Sequence, residues 1–254
     1  MSDRELKLAK APIVEAVLDI DCDMLPGQQF ATLEQSLRTA FIKEYPKFRA
    51  ALIQTQQIET KADQPPQMSV HHAVQAFQFL QDDEKQITQV RTQGFSFNRL
   101  APYTGFNDYL PQIERAWRLF IAKTSPIQTR GIRLRYINRI LLPLESSGGV
   151  ELDSYFKIGP RLPDEKRFTL LGFLDQQSAV EPETGNLINM VLTGQPIEQD
   201  KAPIIFDITV ESSIKTEPDN WACILAKIES LRSLKNHIFV NTLTEKCLNL
   251  FQQP

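Results

Sequence analysis

The chain has little of what covalent or metal chemistry requires. Three cysteines, Cys22, Cys223 and Cys247, stand far apart, odd in number and without a Cys-x-x-Cys pair. Neither a disulfide framework nor a zinc site is expected from them. The histidines are His71, His72 and His237. Neighbouring histidines on a strand point to opposite faces, so His71 and His72 make a poor chelate. There is no HExxH and no Asp-rich calcium loop, and the expectation is no metal and no cofactor. Glycine is scarce, and the one doublet is Gly148-Gly149. GxxxxGKS/T and GxGxxG are both missing, which removes the common phosphate loops. A serine elbow is missing too, because Gly94-Phe-Ser96-Phe-Asn98 lacks the second glycine. No apolar run reaches the ~18 residues of a membrane span. Met1–Lys7 is charged and has no signal-peptide core. These absences point to a soluble, cytoplasmic protein with reduced thiols, and they lean away from an enzyme.

What is present is enough for a core. Hydrophobic residues make up 42% and charged residues 23%, the balance of an ordinary globular chain that needs no covalent staples. Residues 12–22 read as a strand rich in Ile13, Val14, Val17, Leu18 and Ile20. After a Pro26-Gly27 turn, Phe30, Leu33, Leu37 and Phe41 have helical spacing, and Pro46 closes that helix. Strands are expected at 52–61, 74–81 and 86–100, with a loop from Asp63 and a turn at residues 81–84. The last of these reads as one continuous strand, with Ile87, Phe95 and Phe97 on one face. Residues 105–123 form the clearest helix, lined by Phe106, Tyr109, Ile113, Trp117 and Phe120.

The order then repeats. Strand 131–144, a short helix over 151–158, strands at 167–180, 187–194 and 203–214, and a helix over 219–239 follow, with Asp219 as its N-cap. Trp221, Ile224, Leu225, Ile228, Leu231 and Leu234 are its expected buried side. Thr244 is the expected cap of a last short helix. Both halves, 1–126 and 127–254, therefore read β-α-β-β-β-α, without residue-level identity between them. The expected fold class is α+β: an antiparallel, curved sheet with helices packed on one face. Two such halves side by side give a pseudo-twofold, saddle-like or paired helix-grip arrangement, as two domains or one continuous one.

Several segments resemble a family of prokaryotic proteins known chiefly for its sporadic distribution. They are Lys10-Ala-Pro-Ile-Val-Glu-Ala-Val-Leu-Asp-Ile20, Gly94-Phe-Ser-Phe-Asn-Arg-Leu-Ala-Pro-Tyr103, the Trp117 helix, Arg133-Leu-Arg-Tyr-Ile-Asn138, and Asn236-His-Ile-Phe239 with Leu243-Thr-Glu245. The likeness spans nearly the whole chain. It implies a compact cytoplasmic protein from a patchily inherited gene, of the kind associated with defence, toxin–antitoxin or phage-related loci. It brings no activity and no catalytic residue.

The strongest compositional feature is a basic block in an acidic chain. Between Arg91 and Arg139 lie eight Arg and Lys123, opposed only by Asp108 and Glu114, in a protein of net charge −3. On strand 131–144, Arg133, Arg135 and Arg139 share a face at about 7 Å repeats. Arg91 and Arg99 share a face with Phe95 and Phe97 on the strand before. Arginine interleaved with aromatics suits stacked bases and phosphates. The blander reading puts Phe95 and Phe97 in the core and pairs the arginines with Glu15, Asp207 or Glu211. Arg115 and Arg118 read as solvent-facing. Glu15, inside an apolar run, calls for an arginine partner, with Arg99, Arg133 and Arg135 as candidates. The paired acids Asp19/Asp21 and Glu181/Glu183 read as surface.

Three functions follow from this. The leading one is a non-enzymatic binding or regulatory protein holding a macromolecular partner, most simply a protein, with a homodimer also open. The second is a nucleic-acid- or anion-binding module using Arg91, Arg99, Arg133, Arg135 and Arg139. The third is a small-ligand binder or enzyme with a pocket between sheet and helix.

Overall fold

The computed structural model describes residues 8–25, 30–59, 67–146, 148–164, 167–168 and 170–252. The turn expected at Pro26-Gly27 and the loop from Asp63 lie outside those residues. The first half contains β1 (Ile13–Asp23), α1 (Glu34–Phe41), β2 (Lys47–Glu59), β3 (Gln67–Leu80), β4 (Gln86–Arg91), β5 (Gly94–Leu100) and α2 (Phe106–Thr124). The second contains β6 (Gln128–Pro143), β7 (Leu174–Val180), β8 (Leu187–Gly194), β9 (Lys201–Thr216), α3 (Trp221–Thr242) and α4 (Glu245–Asn249). All nine strands join one sheet in the order β2-β3-β4-β5-β1-β6-β9-β8-β7, and every neighbouring pair is antiparallel. The protein is thus α+β with an antiparallel sheet, and β1 pairs directly with β6, so the sheet runs unbroken from one half into the other.

Alternation decides the two faces. Along β6, Ile132, Leu134, Tyr136, Asn138, Ile140 and Leu142 are buried, while Arg133, Ile137 and Arg139 are only half-buried and Arg135 is exposed. Period-two patterning of this kind belongs to a strand with one wet face. The buried set, with Leu18 and Ile20 of β1 and Phe206, Ile208 and Val210 of β9, shares a single core cluster with Trp117 and Phe120 of α2 and with Ile224, Ile228 and Leu231 of α3. This buried side is the inner face; the other is the outer face.

Four local readings need correction. Residues 86–100 are not one strand but a tight hairpin, turning at Thr92-Gln93 so that Arg91 sits opposite Gly94. Gly94 has φ +144, and a Cβ there would lie 2.2 Å from the Ile20 carbonyl oxygen, so only glycine fits. The reversal puts Ile87 on the outer face and Phe95 and Phe97 on the inner one. Residues 151–158 hold only a three-residue 3-10 turn, Leu152–Ser154. Asn220, not Asp219, caps α3, its side chain accepting from the Cys223 N–H at 3.2 Å. The buried stripe of α3 passes through Lys235 rather than Leu234. The Thr244 cap is where the sequence puts it, accepting from the Cys247 N–H at 3.3 Å.

No helix among the described residues is long and apolar enough to cross a membrane. Cys22 and Cys247 are buried and Cys223 exposed, all as free thiols. Burial pushes the Cys22 and Cys247 thiols up to about 12, which leaves both unreactive at neutral pH.

Candidate functional site

The outer face gathers most of the residues singled out in the sequence. Strand register aligns Gln89, Ser96, Asp19, Arg133 and Glu211 in one row across β4, β5, β1, β6 and β9. Arg133 donates to Asp19 through Nε at 2.9 Å and Nη2 at 2.8 Å. Arg91 donates to Asp21 at 2.7 Å. Arg135 holds Asp207 through Nε and Nη2, the shorter contact being 2.6 Å, and Arg139 donates to Glu198 at 2.5 Å. Hydrogen bonding to Asp207 raises the Arg135 guanidinium further. The four arginines are therefore held by carboxylates, and the face is a lattice of ion pairs rather than a bare basic patch. Such a surface offers little uncompensated potential for phosphate.

Glu15 differs from expectation. It accepts a 2.9 Å hydrogen bond from the Asn98 side chain, and no arginine among the described residues lies within ion-pair distance of it. It stands on the outer face, half-buried, where solvent and an amide suffice for a carboxylate.

Arg99 leaves the group altogether. The hairpin reversal puts it on the other face of the sheet from Arg91, on the inner side, paired with Gln86. Its guanidinium lies 5.0 Å from the centre of the Tyr109 ring, and its Nε is buried without a partner. Within the basic block, Arg115 pairs with Glu44, Arg118 with Glu114 and Arg130 with Asp23. Only Arg99 and Lys123 lack a carboxylate partner among the described residues.

Arg99 lines a small pocket beside the second candidate, a cavity on the inner side. A hollow of about 530 Å³ lies between the start of β1, the middle of β6, the N-terminus of α2 and the middle of α3. Its walls mix Pro12, Ile13 and Phe239 with Asn138, Arg232 and Lys235. An annex of about 20 Å³, which Arg99 lines, shares Tyr103, Phe106 and Tyr136 with it. The size falls in the range of ordinary small-molecule pockets, roughly 300–1,000 Å³.

Local sequence explains the arrangement. Tyr136 points inward because it lies two residues from Leu134 on β6, and its hydroxyl is 3.2 Å from that of Tyr103. Burial raises both phenols, so both are neutral. Lys235 follows Leu231 by one turn of α3 and so falls on the buried stripe. It is 8% exposed, and its ammonium sits 4.1 Å from the Tyr136 ring centre. Desolvation, with a smaller contribution from Arg232, brings it down to about 7. Arg232, three residues earlier, lies over the Phe106 ring at 4.3 Å and is held by Glu229 at 2.6 Å.

No protein-family model matches the chain, and no curated protein matches it. Among the described residues there is also no cluster of His, Cys, Asp or Glu able to hold a metal.

No local motif marks Lys235, Arg232, Tyr103 or Tyr136 as a site residue. One signal was available. A lysine among Ile224, Ile228, Leu231 and Phe239 interrupts an apolar stripe at the correct helical spacing, and a cation in that register must be buried or must bend the stripe.

Proposed function

We propose that this protein is a ligand-binding protein whose site is the cavity between the inner face of the sheet and helices α2 and α3. One observation carries the reading: Lys235 lines that cavity, nine-tenths buried, with no carboxylate partner among the described residues. An unpaired buried cation is costly in a finished core, and a ligand that completes its environment explains why it is there. Binding rather than catalysis is the simplest role, since among the described residues no Ser, Cys or His lines this site. A cytoplasmic location belongs to the same reading and rests on the free thiols. So does a pseudo-twofold, saddle-like relation of the halves, supported by the strand order read outwards from the centre: β1, β5, β4, β3, β2 on one side and β6, β9, β8, β7 on the other.

The test is a fragment screen by saturation-transfer NMR. Hits are expected to compete with one another and to vanish in Asn236→Trp, which fills the cavity from α3, while thermal unfolding stays near wild type. Hits that persist equally in N236W place binding elsewhere and sink the reading.

A second reading, a protein partner or a second copy of the chain, is favoured by exposed apolar residues on the hairpin β2–β3. Leu52, Ile53, Met68 and Val70 are all exposed there. Sedimentation velocity across a dilution series tests self-association. A wild-type monomer at every concentration removes the homodimer, and an L52S/M68S variant that sediments like an associating wild type removes the hairpin as its interface. Nucleic-acid binding through Arg91, Arg133, Arg135 and Arg139 has lost its support, because each of those arginines already has a carboxylate partner.

A further inference from the structure

We propose that the ligand of this cavity is an organic oxyanion, a carboxylate or phosphate on a compact apolar body, with its charged end held between Lys235 and the N-terminus of α2. The proposal rests on the cavity being a ligand site and adds the chemical class of what fills it.

Lys235 is the first observation. Among the described residues neither a carboxylate nor a hydrogen-bond acceptor is paired with its ammonium, which lies 4.1 Å from the centre of the Tyr136 ring. A neutral ligand would leave that deficit in place and a cationic one would deepen it. An oxyanion supplies both the missing charge and the missing acceptors in one group.

The second observation is independent of the lysine. Helix α2 is 19 residues long, begins at the cavity wall, and has as its N-cap Gly105, which carries no side chain. Gly105 has φ +153, a conformation reserved for glycine, and the residue brings backbone without side chain to the wall. First-turn N–H groups at the positive end of a helix dipole form an anion site.

Arg99 is the third. It lines the annex, its Nε buried and unpartnered, and among the described residues no carboxylate pairs with it. Charges that oppose the anion are also present. Asp108 lines the cavity from the first turn of α2, and Glu229 already answers Arg232. Among the described residues the cavity's own lining carries Arg232 and Lys235 against Asp108, and Arg99 lines the annex. Leu8, Pro12, Ile13 and Phe239 line the remaining wall and suit an apolar body.

Isothermal titration of the whole protein with three probes tests this: phenyl phosphate, benzoate and the neutral benzyl alcohol. At least one anion is expected to bind, with benzyl alcohol weaker by about tenfold or more, and the tighter anion distinguishes phosphate from carboxylate. Lys235→Met is expected to bring the anions down to the level of the alcohol, and Arg99→Met to weaken them several-fold. Thermal midpoints taken alongside show that both variants fold. Benzyl alcohol binding as tightly as the anions, or anion binding unchanged in K235M, overturns the oxyanion and leaves the cavity standing. So does a fragment screen that yields only neutral hits. Silence from all three probes, together with an empty fragment screen, removes the class and the cavity reading together.

Discussion

Lys235 is where a single residue costs the fold most visibly. An unfolded lysine titrates near 10.4, whereas burial in the fold brings Lys235 down to about 7. Between those values the unfolded chain holds the extra proton, so this residue makes stability rise with pH across that window; its penalty is complete below about 7. Arg232 adds to the penalty, and the neutral phenols of Tyr103 and Tyr136 do not relieve it. Lys235→Met is therefore expected to stabilise the ligand-free protein by roughly 1–3 kcal/mol at neutral pH. Its urea midpoint should gain least at pH 9, where wild type has recovered part of the loss. A methionine variant less stable than wild type at both pH values would mean that the cation–π contact with Tyr136 outweighs desolvation. Gly94 is the opposite case, a residue whose absence of side chain holds a turn together. Gly94→Ala pushes a Cβ to 2.2 Å from a backbone oxygen of β1, so a loss of about 2–4 kcal/mol is expected, read as a lower urea midpoint.

Elements explain why the basic block misleads. Charge along a sequence is not charge on a surface: Arg133, Arg135 and Arg139 do share a face of β6, as period two requires, but β1 and β9 bring Asp19 and Asp207 beside the first two. Those carboxylates come from residues 114 and 72 positions away, and no local pattern reports such a distance. The alternation that assigned the faces of β6 was legible because it holds without a break from Gly131 to Pro143. The β4–β5 turn was not, because Thr92-Gln93 carries none of the usual turn residues and the required freedom sits one residue later, at Gly94. Missing that turn put Arg91 and Arg99 on one face, when Arg91 lies on the outer face and Arg99 on the inner one, lining the annex. The ion-pair lattice carries its own prediction. Asp19→Asn with Asp207→Asn keeps shape and removes two negative charges from the outer face. Wild type is expected to pass through heparin at low salt, and the double variant to be retained and to elute earlier as salt rises. Retention of wild type itself, with a steep salt dependence, would restore the nucleic-acid reading. Asp19→Ala alone should cost about 1–2 kcal/mol, because Asp19 is 13% exposed but Arg133 is 39% exposed and partly solvated.

At the scale of the whole molecule, the boundary near residue 126 divides a pattern of elements but not a structure. β1 and β6 lie side by side at the centre of the sheet, with registered pairs from Ile13 with Asn138 to Asp23 with Gln128. Separating the halves would turn both strands into long, apolar edges. The inner side crosses the boundary as well. Trp117 of α2 donates to the Pro218 carbonyl at 2.9 Å, beyond β9, and Tyr103 meets Tyr136 across it. The cavity is made of both halves, α2 on one side and α3 on the other, so neither half alone contains the site. Unfolding in urea should therefore be one cooperative transition. The two tryptophans, Trp117 and Trp221, lie one in each half, which allows a direct test. Trp221→Phe leaves a reporter in the first half and Trp117→Phe one in the second. Each fluorescence transition is expected to coincide with the loss of far-UV circular dichroism in the same variant. A first-half signal that melts apart from the dichroism of its own variant would make the halves independent domains. A ligand in a cavity between independent domains would act on their docking, whereas a ligand in a single cooperative unit raises the midpoint seen by both tryptophans together.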